Sequence, residues 1–246
     1  MLEHMIAAAT QTAGRASGRI ASACAVCHAW PAQALCTACI ERFTAWQPRC
    51  LLCAIALPAG TPVCGQCIAA PPPLSRCIAA VAWGWPFSDL IGRLKFGRAP
   101  GWAEALAPLL HETQGVRDLL ADADLLLPLP LAPERLRERG FNQALALARH
   151  LAPDKACSTL LLRIRHSAPQ ASLARAARLA NVRGAFAVDP LRLREIAGRK
   201  LVLIDDVMTT GATLFEAART LRATGAAEVS AIVLARTDDP RGPLTA

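Results

Sequence analysis

The sequence predicts an α/β protein, a parallel sheet flanked by helices, with a small cysteine-rich module at its N-terminal end. Three observations carry that prediction. Four CxxC pairs crowd into residues 24–67. From Cys77 onward, short apolar runs alternate with stretches of helical periodicity, the pattern of βα units. The run Leu201–Ile204 is aliphatic at every position, as a central parallel strand buried on both faces must be, and it ends in Asp205 and Asp206. A chain of 246 residues can build one such core and a small second unit.

Composition narrows the function classes. With 53% hydrophobic and 19% charged residues the chain reads as a folded soluble protein, and no apolar run approaches the roughly 20 residues that span a bilayer. The first residues lack the continuous apolar core of a secretory signal, so a cytoplasmic protein with no transmembrane segment is expected. The net charge of +8 suggests an anionic partner. However, lysine occurs only three times, tyrosine never, and alanine is abundant, as a GC-rich coding sequence would give. Charge alone therefore says little about nucleic acid.

The first module is a metal-binding problem. The pairs are Cys24/Cys27, Cys36/Cys39, Cys50/Cys53 and Cys64/Cys67, with Cys77 and Cys157 left over. A CxxC turn aims two thiolates at one point, and two such turns complete a tetrahedral zinc site. About two structural zinc ions per chain are expected. A disulfide framework conflicts with a cytoplasmic chain. A redox CxxC would need one pair in a βαβ setting, and an iron–sulfur cluster stands well behind zinc. Sequential pairing gives a double zinc ribbon of Cys24, Cys27, Cys36, Cys39 and then Cys50, Cys53, Cys64, Cys67, although spacing permits a nested pairing equally. His28 and Cys77 read as bystanders. The module holds too little apolar material to fold without metal, so zinc should supply folding free energy. The stiff run Pro71–Pro73 sets the expected boundary, giving an extension over 1–23, a double ribbon over 24–70 and a second domain over 74–240.

The second domain reads in order. CIAAVAWGW from Cys77 predicts a strand, and FSDLIGRLKF a helix opened by Ser88 or Asp89. A second helix is expected over about 102–120, after the Pro100–Gly101 break. DLLLPLP predicts a short buried strand, and GFNQALALARHLA an amphipathic helix with Leu145, Ala148 and Leu151 on one stripe. TLLLRI and AFAV flank a polar, arginine-rich insert. KLVLID, a helix over 214–224 and EVSAIVLAR then complete a βαβ unit.

The stretch LVLIDDVMTTGAT carries the chemistry. Asp205 and Asp206 fall at the carboxyl end of a strand, where open α/β sheets bind ligands. Thr209, Thr210, Gly211, Ala212 and Thr213 sit where the strand turns into a helix. Free amides, hydroxyls and the positive end of a helix dipole together make an anion site there, and Gly211 permits close approach of the backbone. Solvated turn carboxylates with threonine N-caps would give the same letters. Acids and an anion cradle within a few residues, however, suit a sugar phosphate, whose hydroxyls meet the acids while its phosphate meets the amides. GxxxxGK[ST] is absent, so this is not a nucleotide P-loop.

The hydrophobic strand followed by DD and TTGAT resembles the signature by which type I phosphoribosyltransferases bind phosphoribosyl pyrophosphate (PRPP). That resemblance implies that Asp205 and Asp206 bind the ribose hydroxyls and act catalytically if transfer occurs. It further implies that Val207, Met208, Thr209, Thr210, Gly211, Ala212 and Thr213 bind the 5-phosphate. With PLPLAPERLRERGFNQALALARHLA, the segment RHSAPQASLARAARLANVRGAF and the CxxC array, the chain resembles the ComF family over residues 24–237. The family likeness implies a type I phosphoribosyltransferase-like fold, with Arg135, Arg137 and Arg139 near the phosphates and residues 165–183 forming a hood over PRPP. Guanidinium groups suit such oxygens because they bind them in pairs. Arg135, Arg137 and Arg139 alternate at period two, which in an extended loop would point them one way. Asn142 is a plausible helix cap. In the insert, Gln170, Arg175, Arg178, Asn181 and Arg183 read either as a lid or as a solvated helical hairpin.

Two function classes follow. The family likeness implies a part in natural transformation, handling incoming single-stranded DNA beside the DNA-uptake machinery, with PRPP and its Mg²⁺ bound as a structural or regulatory feature. The alternative is a working transferase that moves phosphoribosyl from PRPP to an acceptor with release of pyrophosphate. Trp30, Trp46, Trp83, Trp85 and Trp102 offer stacking surfaces, though tryptophans are more often core residues.

Overall fold

A computed structural model of the chain describes residues 22–97, 99–165 and 182–238. The chain divides between Glu41 and Arg42 into two compact units. In the first, an antiparallel bridge joins Ser22 to Ala32, and Cys24 and Cys27 come off the turn between them. Helix α1 (Thr37–Phe43), which begins just after Cys36 and runs on past the division, carries Cys39. Cys24, Leu35 and Cys39 form its small buried centre.

The second unit opens by repeating that plan. Arg49 is bridged to Ala56 around the turn that holds Cys50 and Cys53, and α2 (Gly65–Ala69) starts immediately after Cys64 and carries Cys67. The residue after each second cysteine of the turn, His28 and Ala54, takes a positive φ of 60° and 55°, so both turns bend alike.

Four parallel strands follow in the order β1–β6–β5–β2, comprising β1 (Cys77–Ala82), β2 (Leu125–Pro128), β5 (Lys200–Met208) and β6 (Glu228–Arg236). The two central strands are buried along nearly their whole length, which is why their sequences are aliphatic throughout rather than alternating. Register pairs Leu203 with Ala231 and Leu127 with Leu203, so the carboxyl ends of β2, β5 and β6 come to one edge. The expected parallel sheet with flanking helices is the observed fold.

The helices cover it for identifiable reasons. In α3 (Phe87–Phe96) the residues Phe87, Leu90, Ile91 and Leu94 are buried, one stripe at helical spacing. The single helix expected over 102–120 is two, α4 (Trp102–His111) and α5 (Val116–Asp122). The Thr113 hydroxyl donates back to the Leu109 carbonyl at 2.6 Å, and Gly115 turns the chain with φ 81°. In α7 (Gln143–Leu151) the buried side is Gln143, Ala144, Leu147 and Ala148. It is turned from the expected Leu145 stripe because α7 packs against both α4 and the sheet. Short α6 (Pro133–Arg139) precedes α7, α8 (Ala212–Ala223) links β5 to β6, and β3 (Leu161–Arg163) pairs antiparallel with β4 (Phe186–Val188). Between β4 and β5 lies one 3₁₀ segment (Pro190–Glu195).

Cys50, Cys53 and Cys67 share one apolar core with Leu201, Leu203, Val229, Leu214 and Leu221. The second cysteine cluster is thus built into the sheet domain's own core. No helix among the described residues is long and apolar enough to cross a membrane.

Candidate functional site

At the carboxyl edge of β2 and β5 lies a cleft of about 380 Å³. Four cationic side chains and two acids line it. Lys95 comes from α3, Arg135 and Arg139 from α6, Arg163 from β3, and Asp205 and Asp206 from the end of β5. The loop Leu129–Leu131 forms another wall, and the turn Val207–Leu214, which includes Met208, Thr209, Thr210, Gly211, Ala212 and Thr213, forms the floor.

The turn is shaped by Gly211. It sits at φ 80° as the N-cap of α8, and a Cβ there would lie 2.5 Å from Met208 Cε and 2.6 Å from Phe215 Cζ. Only glycine therefore fits, for reasons of dihedral and of space alike. The Thr210 hydroxyl accepts the Ala212 N–H at 3.3 Å. The helix N-terminus beyond it lies in the cleft, with the partial positive charge that such termini carry.

The two acids behave differently. Asp206 is buried and its Oδ1 lies 3.2 Å from Lys95 Nζ. Asp205 Oδ1 accepts the Asp206 backbone N–H at 2.9 Å. Burial, and then the neighbouring Asp206 charge, push the Asp205 carboxyl up to about 7, against the opposing pull of Lys95 and Arg139. Asp205 is thus half-ready to accept hydrogen bonds from a ligand's hydroxyls, and a ligand that donates them would complete its ionisation.

The cations are unevenly committed. Arg139 is buried, donates from Nη1 to Gln143 Oε1 at 2.9 Å, and keeps its buried Nε without a hydrogen-bond partner among the described residues. A buried guanidinium with a donor to spare fits an incoming phosphate oxygen. Burial lowers the pKa of Arg163, with Arg135 as the next contribution in the same direction and Asp205 opposing. Because residues 133–139 are helical, Arg135 and Arg139 stand one turn apart on the cleft side. Arg137, expected to point with them, instead faces solvent and pairs with Glu134 at 3.3 Å. The period-two expectation fails because a helix repeats at 3.6 residues.

Asn142 caps α7, its Oδ1 accepting the Leu145 N–H at 3.2 Å, and its Nδ2 donates to the Leu129 carbonyl at 3.0 Å, tying the loop wall to the helix. Gln170, Arg175, Arg178 and Asn181 lie outside the described residues, and Arg183 is exposed. Sequence reading missed Lys95 and Arg163. Lys95 had a faint signal as one of three lysines in an arginine-rich chain; Arg163, at the end of a short apolar run, had none.

The cysteine centres group sequentially, Cys24, Cys27, Cys36 and Cys39 in one and Cys50, Cys53, Cys64 and Cys67 in the other, with all sulfurs of each set within 4.8 Å of one another. Cys27–Cys36 and Cys53–Cys64 are 3.6 Å and 3.7 Å apart. Four thiolates around one zinc at ~2.3 Å stand about 3.8 Å apart along a tetrahedron's edge, whereas a disulfide would bring sulfurs to about 2.05 Å. All ten cysteines are free thiols. Each set therefore has room for one ion, as structural zinc requires. In both sets a backbone N–H points at the first cysteine sulfur, from Cys36 to Cys24 at 3.4 Å and from Cys64 to Cys50 at 3.3 Å. At Cys24 burial raises the thiol pKa, but the amides of Cys27, Cys36 and Val26 outweigh it and bring the pKa down to about 6. Burial and the neighbouring thiols push Cys39 up to about 12 and raise Cys67 as well. Cys77 belongs to neither set, its buried thiol lying 3.7 Å from Met208 Sδ.

Buried Arg236, at the end of β6, joins the second cysteine turn to the cleft floor. Its Nε donates to the Cys53 carbonyl at 2.8 Å, and its Nη1 donates to the carbonyls of Met208, at 3.3 Å, and Thr209.

Residues 137–245 match the family described as the phosphoribosyl transferase domain. The chain is 34% identical over 216 residues to the DNA utilization protein YhgH of Salmonella typhi, covering 85% of this chain and 91% of that protein. It is 31% identical over 212 residues to competence protein F of Haemophilus influenzae, covering 82% and 90%. Among solved structures, glutamine PRPP amidotransferase from B. subtilis, complexed with ADP and GMP, matches at 19% identity with a TM-score of 0.34, over 57% of this chain and 26% of that one. The chain thus spans about a quarter of that enzyme's length.

Proposed function

The chain belongs to the ComF family, the group of competence protein F and the DNA utilization protein YhgH, and from that premise we propose that it binds PRPP in the cleft and handles incoming single-stranded DNA in natural transformation, on the cytoplasmic side. The observation that carries the reading is the floor of the cleft. Two strand-end acids, a glycine-shaped turn and a helix N-terminus stand together opposite Lys95, Arg135, Arg139 and Arg163. That is a sugar site and an anion site side by side.

In this reading Asp205 and Asp206 take the ribose hydroxyls, and the turn Val207–Thr213 takes the 5-phosphate on its amides and hydroxyls. Arg135 and Arg139 hold the pyrophosphate oxygens, the free Nε of Arg139 among them. Lys95 holds Asp206 in place through their ion pair. Mg²⁺, arriving with PRPP, would neutralise part of the pyrophosphate charge. The two cysteine sets hold one structural zinc each. The relatives' names support the DNA role.

Isothermal titration of the purified, zinc-containing chain with PRPP and Mg²⁺ tests the reading. Loss of one charge-assisted hydrogen bond in Asp205→Asn or Asp206→Asn should weaken binding about tenfold to a hundredfold. Single-stranded DNA should bind with strong salt dependence and survive either substitution. A chain that takes up no PRPP at millimolar concentration would refute the cleft assignment, and one that binds no strand at low salt would refute the DNA role.

A further inference from the structure

Two aromatic rings at the rim of the cleft have no role in the core. Phe96 ends α3 off the buried stripe of Phe87, Leu90, Ile91 and Leu94, and it is 66% exposed. Trp83 follows β1 directly, its N–H held by the Arg236 carbonyl at 2.8 Å, and its ring is 39% exposed. Each has a cleft cation on one side. The Arg139 guanidinium stands 5.4 Å from the Phe96 ring centroid, and Lys95 Nζ stands 5.8 Å from that of Trp83.

These contacts fix the rings without covering them. A large apolar side chain left in water forgoes the stabilisation that burial would bring, and here two do so, each beside a different cation of the cleft. A cation on one side of an aromatic ring with open surface elsewhere is the arrangement that accepts a flat π-system, because base and ring stack while the cation meets the adjoining phosphate. Four cations, Lys95, Arg135, Arg139 and Arg163, line the cleft beside the rings against two acids, Asp205 and the Lys95-paired Asp206, so positive charge is in excess there. An acidic or purely apolar partner would match only half of this surface.

We propose that Phe96 and Trp83 form a base-stacking shelf beside the phosphate cleft, and that its occupant is a nucleobase of single-stranded DNA whose backbone phosphate lies against Arg139 and Lys95. This rests on the DNA-handling reading and gives it a location. The shelf selects no sequence, since every base has a π-face, and it leaves the ribose site untouched while Arg139 is common to the strand's phosphate and to the pyrophosphate of PRPP.

The test uses the full chain with zinc and a fluorescein-labelled dT20 oligonucleotide over a range of salt concentrations, alongside an abasic strand of the same length and free dTMP. Phe96→Ala and Trp83→Ala should each weaken dT20 binding by about fivefold to more than a hundredfold, the effect of one lost base–aromatic stack. The salt slope should stay as in the parent, since no phosphate contact is removed, and Phe96→Trp should restore binding. The abasic strand should bind parent and Phe96→Ala alike. Retained PRPP binding in each variant reports a folded cleft. If the parent binds dT20 and both alanine variants match it, the shelf is wrong while the DNA role stands. If the parent fails to bind dT20 at any salt, the DNA role falls and the shelf with it. If only dTMP senses Phe96→Ala, the strand is the wrong occupant.

Discussion

Gly211→Ala isolates what the phosphate cradle demands of its backbone. Gly211 and Gly140 share one conformation, φ 80° with ψ −3° and φ 80° with ψ −14°. A Cβ at Gly140 meets nothing within 4 Å, whereas at Gly211 it would stand 2.5 Å from Met208 Cε and 2.6 Å from Phe215 Cζ. Placing alanine in the left-handed region costs about 1–2 kcal/mol at either site. The Met208 methyl can swing away, but the half-buried Phe215 ring is packed against the core, so overpacking at Gly211 adds about 1–3 kcal/mol. Gly140→Ala should therefore lose about 1–2 kcal/mol and Gly211→Ala about 2–5 kcal/mol. At about 2–4 °C per kcal/mol for a domain of this size, the extra drop in Tm at Gly211 is about 2–12 °C. Equilibrium denaturation of both variants in the same buffer measures the difference, and PRPP titration should show affinity reduced at least about tenfold in Gly211→Ala. Equal stability of the two variants to within about half a kcal/mol would refute the steric argument.

Asp205 gives a pH dependence with a definite sign. Its folded-state carboxyl is pushed up to about 7 while the unfolded one titrates near the ordinary ~3.9, so the native state holds the extra proton between those values. Stability should fall as pH rises from about 4 to 7 and level off above, and Asp205→Asn should flatten that slope in denaturation curves. If ribose hydroxyls donate to the carboxylate, PRPP binding at pH 7 should release on the order of half a proton, read as a dependence of the heat on the buffer's ionisation enthalpy. Arg236→Ala leaves the Cys53 and Thr209 carbonyls without their side-chain donor, while the Met208 carbonyl keeps the Thr237 N–H, and should cost about 2–6 kcal/mol in unfolding free energy, about 1–3 kcal/mol for each orphaned acceptor. It should also weaken PRPP binding while zinc content stays near two per chain; unaltered PRPP affinity in the folded variant would disconnect the latch from the cradle.

Much of the site was legible because its constraints are local. A strand buried on both faces must be aliphatic, and a left-handed turn under a phenylalanine must be glycine, so Leu201–Gly211 announces itself. The grouping of cysteines by neighbouring pairs is likewise local, since each turn and the helix after it are only a few residues apart. Lys95 and Arg163 escaped because nothing near them in the chain says cleft; the fold brings β3 to Asp205 and Asp206 from more than forty residues earlier in the chain and α3 from over a hundred earlier. Arg137 was misplaced for a different reason. Pro133 at the first helical position and Glu134 in the first turn are helix-start signals, and they outweigh the period-two spacing of the arginines. The tryptophans went the opposite way from expectation. Trp30, Trp46, Trp83 and Trp85 are exposed and Trp102 is half-buried, because the core is filled by leucine, valine and alanine.

The second cysteine centre has a structural consequence for the cleft that its sequence separation hides. Arg236 is buried with no carboxylate beside it among the hydrogen bonds it makes; its partners are main-chain carbonyls on both sides. A buried guanidinium is tolerated only when its donors are satisfied, so the Cys53 turn and the turn at Met208 and Thr209 must keep a fixed separation for it to remain. A metal held by Cys50, Cys53, Cys64 and Cys67 would fix the first of these, and the β5–β6 register fixes the second. Cys77 reinforces the same junction, its N–H donating to the Leu51 carbonyl at 2.8 Å and its thiol packing on Met208. The second cysteine set is thereby part of the support on which the turn at Met208 and Thr209 rests, so a metal there and a ligand on that turn would act on one core.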